Sequence, residues 1–204
     1  MVSYPFHPAP RRVVVTGGPG AGKTAVLELA RRELCRHVDV LPESASIVFS
    51  GGFPRRDGDT PRRCAQRAIY RVQCELETMA LGDDLSVALC DRGTLDALAY
   101  WPGRWDDFFA ELQTSMEKEL ARYAAVIHLR VPERASEYRQ TELRRETHAQ
   151  AREVDLRLLE VWARHPRRVI IDGNEDFMVK AEHALAAIRA EVTAHACDAS
   201  NGAG

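Results

Sequence analysis

Short apolar runs alternate with amphipathic stretches from one end of this 204-residue chain to the other. Val13-Val14-Val15 is a β-branched run closed by Gly17, and it predicts a buried strand. From about Lys23 to Arg36, residues Val26, Leu27, Ala30 and Leu34 recur at helical spacing. Val38 to Leu41 predicts a second strand, stopped by Pro42. A Gly/Arg/Asp-rich loop follows, and Pro61 marks a helix start. That helix carries Cys64, Ala68, Ile69, Val72, Leu76 and Met79 on one stripe, which the spacing assigns to the core. Further strands are expected at Ser86–Cys90, Val126–Leu129 and Val169–Ile171, with helices over Trp105–Tyr123, Thr147–Arg164 and Asp176–His195. Strands alternating with helices predict an α/β fold with a mainly parallel, five-stranded sheet. Ligands in such sheets bind beyond the carboxyl ends of the strands.

The organisation is that of a single domain over about residues 12–195, after an extended lead-in with three prolines (residues 1–11) and before a tail expected to be disordered (196–204). Apolar residues at 45% are enough for one ordinary core. A formal charge of −2 argues against a protein that coats nucleic acid. No apolar run is long enough to cross a membrane and the N-terminus lacks the apolar segment of a signal peptide, so a cytoplasmic protein is expected. Five cysteines without a CxxC pair suggest neither a disulfide framework nor a zinc site, and four of them read as buried small hydrophobes. Only three lysines stand against twenty-five arginines, a bias that suits phosphate recognition and equally reflects composition.

The chemistry begins at Gly17-Gly18-Pro19-Gly20-Ala21-Gly22-Lys23-Thr24, a complete GxxxxGK[ST] motif between a predicted strand and a predicted helix. In that context Gly18, Pro19, Gly20, Ala21, Gly22, Lys23, Thr24 and Ala25 are expected to wrap the phosphates of a nucleoside triphosphate. Backbone N–H groups and a helix N-terminus face the anion, Lys23 reaches the β- and γ-phosphates, and Thr24 ligates Mg²⁺. The third strand ends at Asp91, placed as a second metal contact or as a helix cap. Arg92 follows it, so the Asp-Glu pair that activates water in hydrolytic motors is absent, as is an Asn-Lys-x-Asp guanine reader. ATP and GTP both fit this pattern.

Glu43, after strand two, would face the phosphate loop as a general base or else cap the next helix. Asp96 and Tyr100, at helical spacing after Asp91-Arg92-Gly93, are candidates for an acceptor pocket. Arg92 would hold a phosphate or form a structural ion pair. Arg55, Arg56, Arg62 and Arg63 would bind an acceptor phosphate or form a mobile polar loop.

Together Gly17–Thr24, Pro42-Glu43 and Asp91-Arg92-Gly93 resemble the nucleoside and nucleotide kinase branch of P-loop proteins, and in particular the AAA-like family that includes ribosylnicotinamide kinase. The resemblance spans roughly residues 12–190 and implies a three-layer P-loop NTPase fold. It also implies ATP·Mg²⁺-dependent phosphoryl transfer to a small acceptor such as a nucleoside or nucleotide. A lid at about residues 133–150 would supply Arg139, Arg144 and Arg145 to the transferring phosphate, unless those residues form a solvated face of Glu–Arg pairs. The turn Asp172-Gly173-Asn174 resembles a segment that packs on adenine. The alternative function is a nucleotide-binding regulatory NTPase that switches a protein partner.

Overall fold

The computed structural model describes residues 9–80, 85–133, 147–174 and 176–201, with side chains through residue 194. Five strands form one all-parallel sheet in the order β2-β3-β1-β4-β5: β1 (Arg11–Thr16), β2 (Val38–Leu41), β3 (Val87–Asp91), β4 (Ala125–Leu129) and β5 (Arg168–Ile171). The expected strands are all present, each within two residues of its expected ends. The helices are α1 (Lys23–Glu33), α2 (Ser44–Ser50), α3 (Asp59–Met79), α4 (Trp105–Leu112), α5 (Met116–Leu120), α6 (His148–Val161) and α7 (Phe177–Asn201), with a 3-10 helix at Thr94–Ala99.

The period of two along β1 separates two cores. Val13 and Val15 face a cluster with Val26, Leu27 and Ala30 of α1 and with Ala184 and Ile188 of α7. Val14 turns to the other face, where Phe108, Trp101, Tyr123 and Trp162 pack. Their rings meet edge to face, as in Trp101–Phe108 at 5.2 Å and Tyr123–Trp162 at 5.5 Å between centroids. Helix, sheet and helix therefore make the three layers, and all strands of the sheet end on the same side.

Four expectations need correction. The helix over Trp105–Tyr123 is two short helices, because Gln113 takes a left-handed conformation (φ 57°) and Ser115 caps the second by accepting from Lys118 N–H at 3.3 Å. In α3 the buried residues are Ala65, Gln66, Tyr70, Gln73 and Glu77, while Met79 is 74% exposed. The polar stripe is turned inward because it meets a buried hydrogen-bond network and a cavity rather than apolar core. Among the described cysteines only Cys90 is buried, Cys35 being exposed on the outside of the α1–β2 turn. The stretch expected to be a disordered tail continues α7 as helix to Asn201.

Candidate active site

The carboxyl ends of β1, β2 and β3 open onto a cavity of about 1080 Å³. The loop from β1 to α1 forms one wall. Gly17 sits at φ 138°, and a Cβ there would lie 2.1 Å from the Leu129 carbonyl oxygen of β4, so only glycine lets the loop leave the strand here. Gly22 (φ 95°) caps α1 without a side-chain bond, leaving the helix N-terminus to face an anion. Pro19, Gly20, Gly22, Lys23, Thr24 and Ala25 all line the cavity. Gly18 and Ala21 do not. The Gly18 N–H donates to Asp155 Oδ1 at 3.1 Å, and the Ala21 N–H donates to the Gly18 carbonyl at 3.2 Å.

Lys23 Nζ donates to the carbonyls of Gly17 (3.0 Å) and Gly18 (3.3 Å). Burial, reinforced by the Arg92 cation, lowers its pKa to about 8, against the pull of Asp91, Glu43 and Asp96. Asp91 shares the cavity with Thr24, and its Oδ1 is shut from solvent with no hydrogen-bond partner among the described residues. Burial raises the Asp91 pKa, with Lys23 opposing. An orphaned carboxylate oxygen and a hydroxyl on one cavity are hard oxygen donors that fit Mg²⁺.

Glu43 and Arg92 meet on the cavity floor. Arg92 Nε donates to Glu43 Oε1 at 2.6 Å, and Ser46 Oγ donates to Oε2 at 2.5 Å. Burial alone would raise the Glu43 pKa, but Arg92 and the Ser46 hydroxyl outweigh it and hold the group below its usual range. Arg92 adopts φ 76°, a left-handed conformation that costs a non-glycine residue about 1 kcal/mol or more. Its guanidinium is locked by Glu43, Asp96 Oδ2 (3.3 Å) and the Gly17 carbonyl (3.4 Å), with the Tyr100 ring 5.9 Å away.

Asp96 lines the cavity but has a different character from that expected. It is 3% exposed and accepts from Thr16 Oγ1 (2.8 Å), Trp162 Nε1 (2.7 Å) and Arg92, which makes it a brace between β1, α6 and the floor. Tyr100 lines the same cavity. Arg139, Arg144 and Arg145 lie outside the described residues. Of the loop arginines, Arg55 and Arg62 reach the cavity, whereas Arg63 is bound to Asp107 and Glu111. The Asp172–Asn174 turn packs on the exit of β4, where Asn174 Oδ1 accepts from the Glu133 N–H at 3.0 Å.

Sequence reasoning missed two groups. One is Asp155 on α6, 1% exposed, which accepts from Gly18 N–H, His128 Nε2 (2.8 Å), Arg130 Nε (2.7 Å) and Val131 N–H (3.4 Å). No local signal marks a partner 137 residues from the loop it holds. The other is the wall formed by Gln66, Tyr70 and Gln73 of α3. Their spacing of four and three residues, continued by Glu77, is itself a helical stripe and was the available signal.

The model of a family described as AAA domain matches residues 12–178. No curated protein sequence matches the chain. Among solved structures, deoxyadenosine kinase from M. mycoides with bound dATP superposes with a TM-score of 0.60 at 15% identity, covering 88% of this chain and 99% of that one. The same enzyme with dCMP and a flexible dCDP gives the same values. NadR protein in complex with NAD and AMP-PNP gives 0.60 at 17% identity over 90% of this chain and 50% of its own, so this chain spans about half the length of NadR. These likenesses establish the shared architecture, a P-loop fold of the nucleotide kinase type. With the phosphate loop, the parallel sheet and a family match over most of its length, the chain belongs to the AAA domain family.

Proposed function

We propose that the protein is a P-loop phosphotransferase that moves the γ-phosphoryl group of ATP, with Mg²⁺, to a small-molecule acceptor such as a nucleoside or nucleotide. The observation that carries this reading is a single cavity in which the phosphate loop and the ionised Glu43 face each other, with a polar wall of α3 beyond them. The cavity extends past the phosphate loop to that wall, leaving space for a second reactant. The likeness to deoxyadenosine kinase supports the same reading.

In this proposal the N–H groups at the start of α1 and the Lys23 ammonium hold the triphosphate. Thr24 and Asp91 would hold the metal, which when bound neutralises charge on the phosphates. Glu43 accepts the proton of the acceptor hydroxyl as its oxygen bonds to the γ-phosphorus and the bond to the β,γ-bridging oxygen breaks. Arg92 keeps Glu43 ionised and fixed. Arg139, Arg144 and Arg145 are proposed as the charges that close over the transferring group.

The test is ADP release from Mg·ATP with and without a panel of nucleosides, nucleotides and ribosylnicotinamide, with Lys23→Ala as the blank. Acceptor-dependent release lost in the blank is expected. Release that ignores every acceptor would refute the phosphotransferase and leave a regulatory NTPase. Glu43→Gln is expected to lower kcat about a hundredfold or more, the ordinary worth of a general base. An unchanged rate would remove Glu43 from that role.

A further inference from the structure

The turn that carries Arg92 is pinned on both sides. Before it, the Arg92 N–H donates to the Val15 carbonyl at 3.2 Å and extends the pairing of β3 with β1. After it, Thr94 opens the 3-10 helix at 1% exposure, and both of its donors are taken. Its N–H donates to Tyr123 OH at 2.7 Å, and its hydroxyl donates to Glu119 Oε2 at 2.6 Å. Gly93, between the two pins, is pressed onto the core. A Cβ there would lie 2.8 Å from Val14 Cγ2 and 2.9 Å from Trp162 Cζ2.

The anchors behind Thr94 are themselves fixed. Glu119 of α5 is buried, and its Oε1 accepts from the Tyr70 hydroxyl at 2.7 Å and the Thr114 hydroxyl at 2.6 Å. Arg122 Nε stands 3.6 Å from Oε2 as a counter-charge. Tyr123 OH donates to Oε1 of the fully buried Glu77 at 2.7 Å, and Arg122 donates twice to Glu77 Oε2 at 2.6 and 3.0 Å. A carboxylate only accepts, so the Thr94 hydroxyl must be the donor of its bond to Glu119. Arg92 can therefore leave its left-handed conformation only by displacing Thr94 from this network, since the chain on its other side is tied to β1. A strained backbone persists where its surroundings over-determine it, and this turn meets that condition.

We propose that Thr94 is a positioning residue for Glu43: its hydroxyl, anchored on Glu119, holds the left-handed turn at Arg92 and so keeps the guanidinium on the Glu43 carboxylate. The role of Glu43 as base rests on the phosphotransferase reading. The hold on Arg92 is independent of that reading and is measurable without turnover.

Glu119→Ala would strip three hydroxyls of their acceptor at once and endanger folding, so the test is made at Thr94. Thr94→Val keeps the shape and the N–H bond to Tyr123 and loses only the hydroxyl, whereas Thr94→Ser retains it. Hydrogen exchange of two side-chain N–H groups is followed by NMR in the ligand-free chain. One is Arg92 Nε–H, assigned by its loss in Arg92→Lys. The other is Trp162 Nε1–H, which donates to Asp96 at 2.7 Å and serves as an internal reference.

Thr94→Val is expected to speed exchange at Arg92 about tenfold or more while the Trp162 group is unmoved, and Thr94→Ser to restore slow exchange. In ADP release with a productive acceptor, Thr94→Val is expected to lower kcat about tenfold or more at an unchanged KM for ATP, because the phosphate loop hangs from β1 and not from Thr94. A merely structural role would speed both N–H groups alike. That result overturns the proposal, as does fast exchange at Arg92 already in the wild type, an Arg92 signal unmoved by Thr94→Val, or failure of serine to restore it. An unchanged kcat in a variant whose Arg92 group has come free overturns it too. Slow exchange that is lost in Thr94→Val, with no turnover of any acceptor, sinks the phosphotransferase alone. Turnover with an undisturbed Arg92 signal sinks the positioning role alone.

Discussion

Asp155→Asn is the substitution that most directly tests how the phosphate loop is held. The carboxylate receives four hydrogen bonds in a site 1% exposed, two on each oxygen. Because Asp155 cannot donate, the His128 Nε2 atom carries the proton of their 2.8 Å bond. Asparagine offers one oxygen and one NH₂, so two of the four donors would face another donor. Bonds to a charged group are worth about 1.5–3 kcal/mol each, and breaking a buried pair typically costs 3–5 kcal/mol. The expected loss is about 3–5 kcal/mol, a large share of a typical domain's stability. Denaturant unfolding at pH 7 reads it directly. The pH dependence adds a second readout. Burial pushes the Asp155 pKa up, but bonds from His128, Arg130 and Gly18 more than compensate, so it lies below its usual value in the folded chain. Such a group stabilises the fold above the unfolded pKa near 4, and the benefit disappears as pH falls through the folded value. Wild type and variant should therefore converge in acid. A loss under 1 kcal/mol at pH 7, or a gap that persists in acid, would refute the reasoning.

Lys23→Ala removes the ammonium at the loop and is expected to weaken ATP binding about a hundredfold, measured by titration calorimetry; unchanged affinity would contradict the placement. Arg92→Met removes the cation that, with the Ser46 hydroxyl, outweighs burial at Glu43, so the acidic limb of the kcat–pH profile should move to higher pH; an unmoved limb would show that the pair does not control Glu43. Gly18→Ala places a Cβ 2.6 Å from both the Ala151 carbonyl oxygen and Val131 Cγ2, and thermal unfolding should show a loss of about 1–3 kcal/mol. Trp162→Phe deletes the 2.7 Å bond to Asp96 and empties part of a fully buried site, with an expected cost of about 2–4 kcal/mol in the same assay.

The strands and the phosphate loop were legible because their causes are local. A β-branched run such as Val13–Val15 can only be buried, and a glycine series before Lys-Thr has few other uses. The floor was half legible: Glu43 and Arg92 were both singled out, but their mutual bond spans 49 residues and no spacing rule pairs them. Asp96 lies on the cavity, and its bracing bonds to Thr16 and Trp162 arise only when three elements converge. On α3 the apolar stripe was assigned to the core because burial ordinarily means hydrocarbon, whereas the residues buried there are mostly polar. The cavity and the Glu77 network reward the polar stripe instead. The break at Gln113 carried no glycine or proline, so only the Ser115 cap announced it.

Helix α6 reaches the site twice. Near its middle Asp155 grips the phosphate loop, and just past its end Trp162 grips Asp96, which in turn grips Arg92. The two grips are seven residues apart, about two helical turns or 10 Å. A helix is stiff over that length, so α6 works as a crossbar bolted at both ends. Any slide or tilt of the bar moves the phosphate loop and the Glu43–Arg92 pair together, and neither half of the site can be retuned by way of α6 while the other stays still.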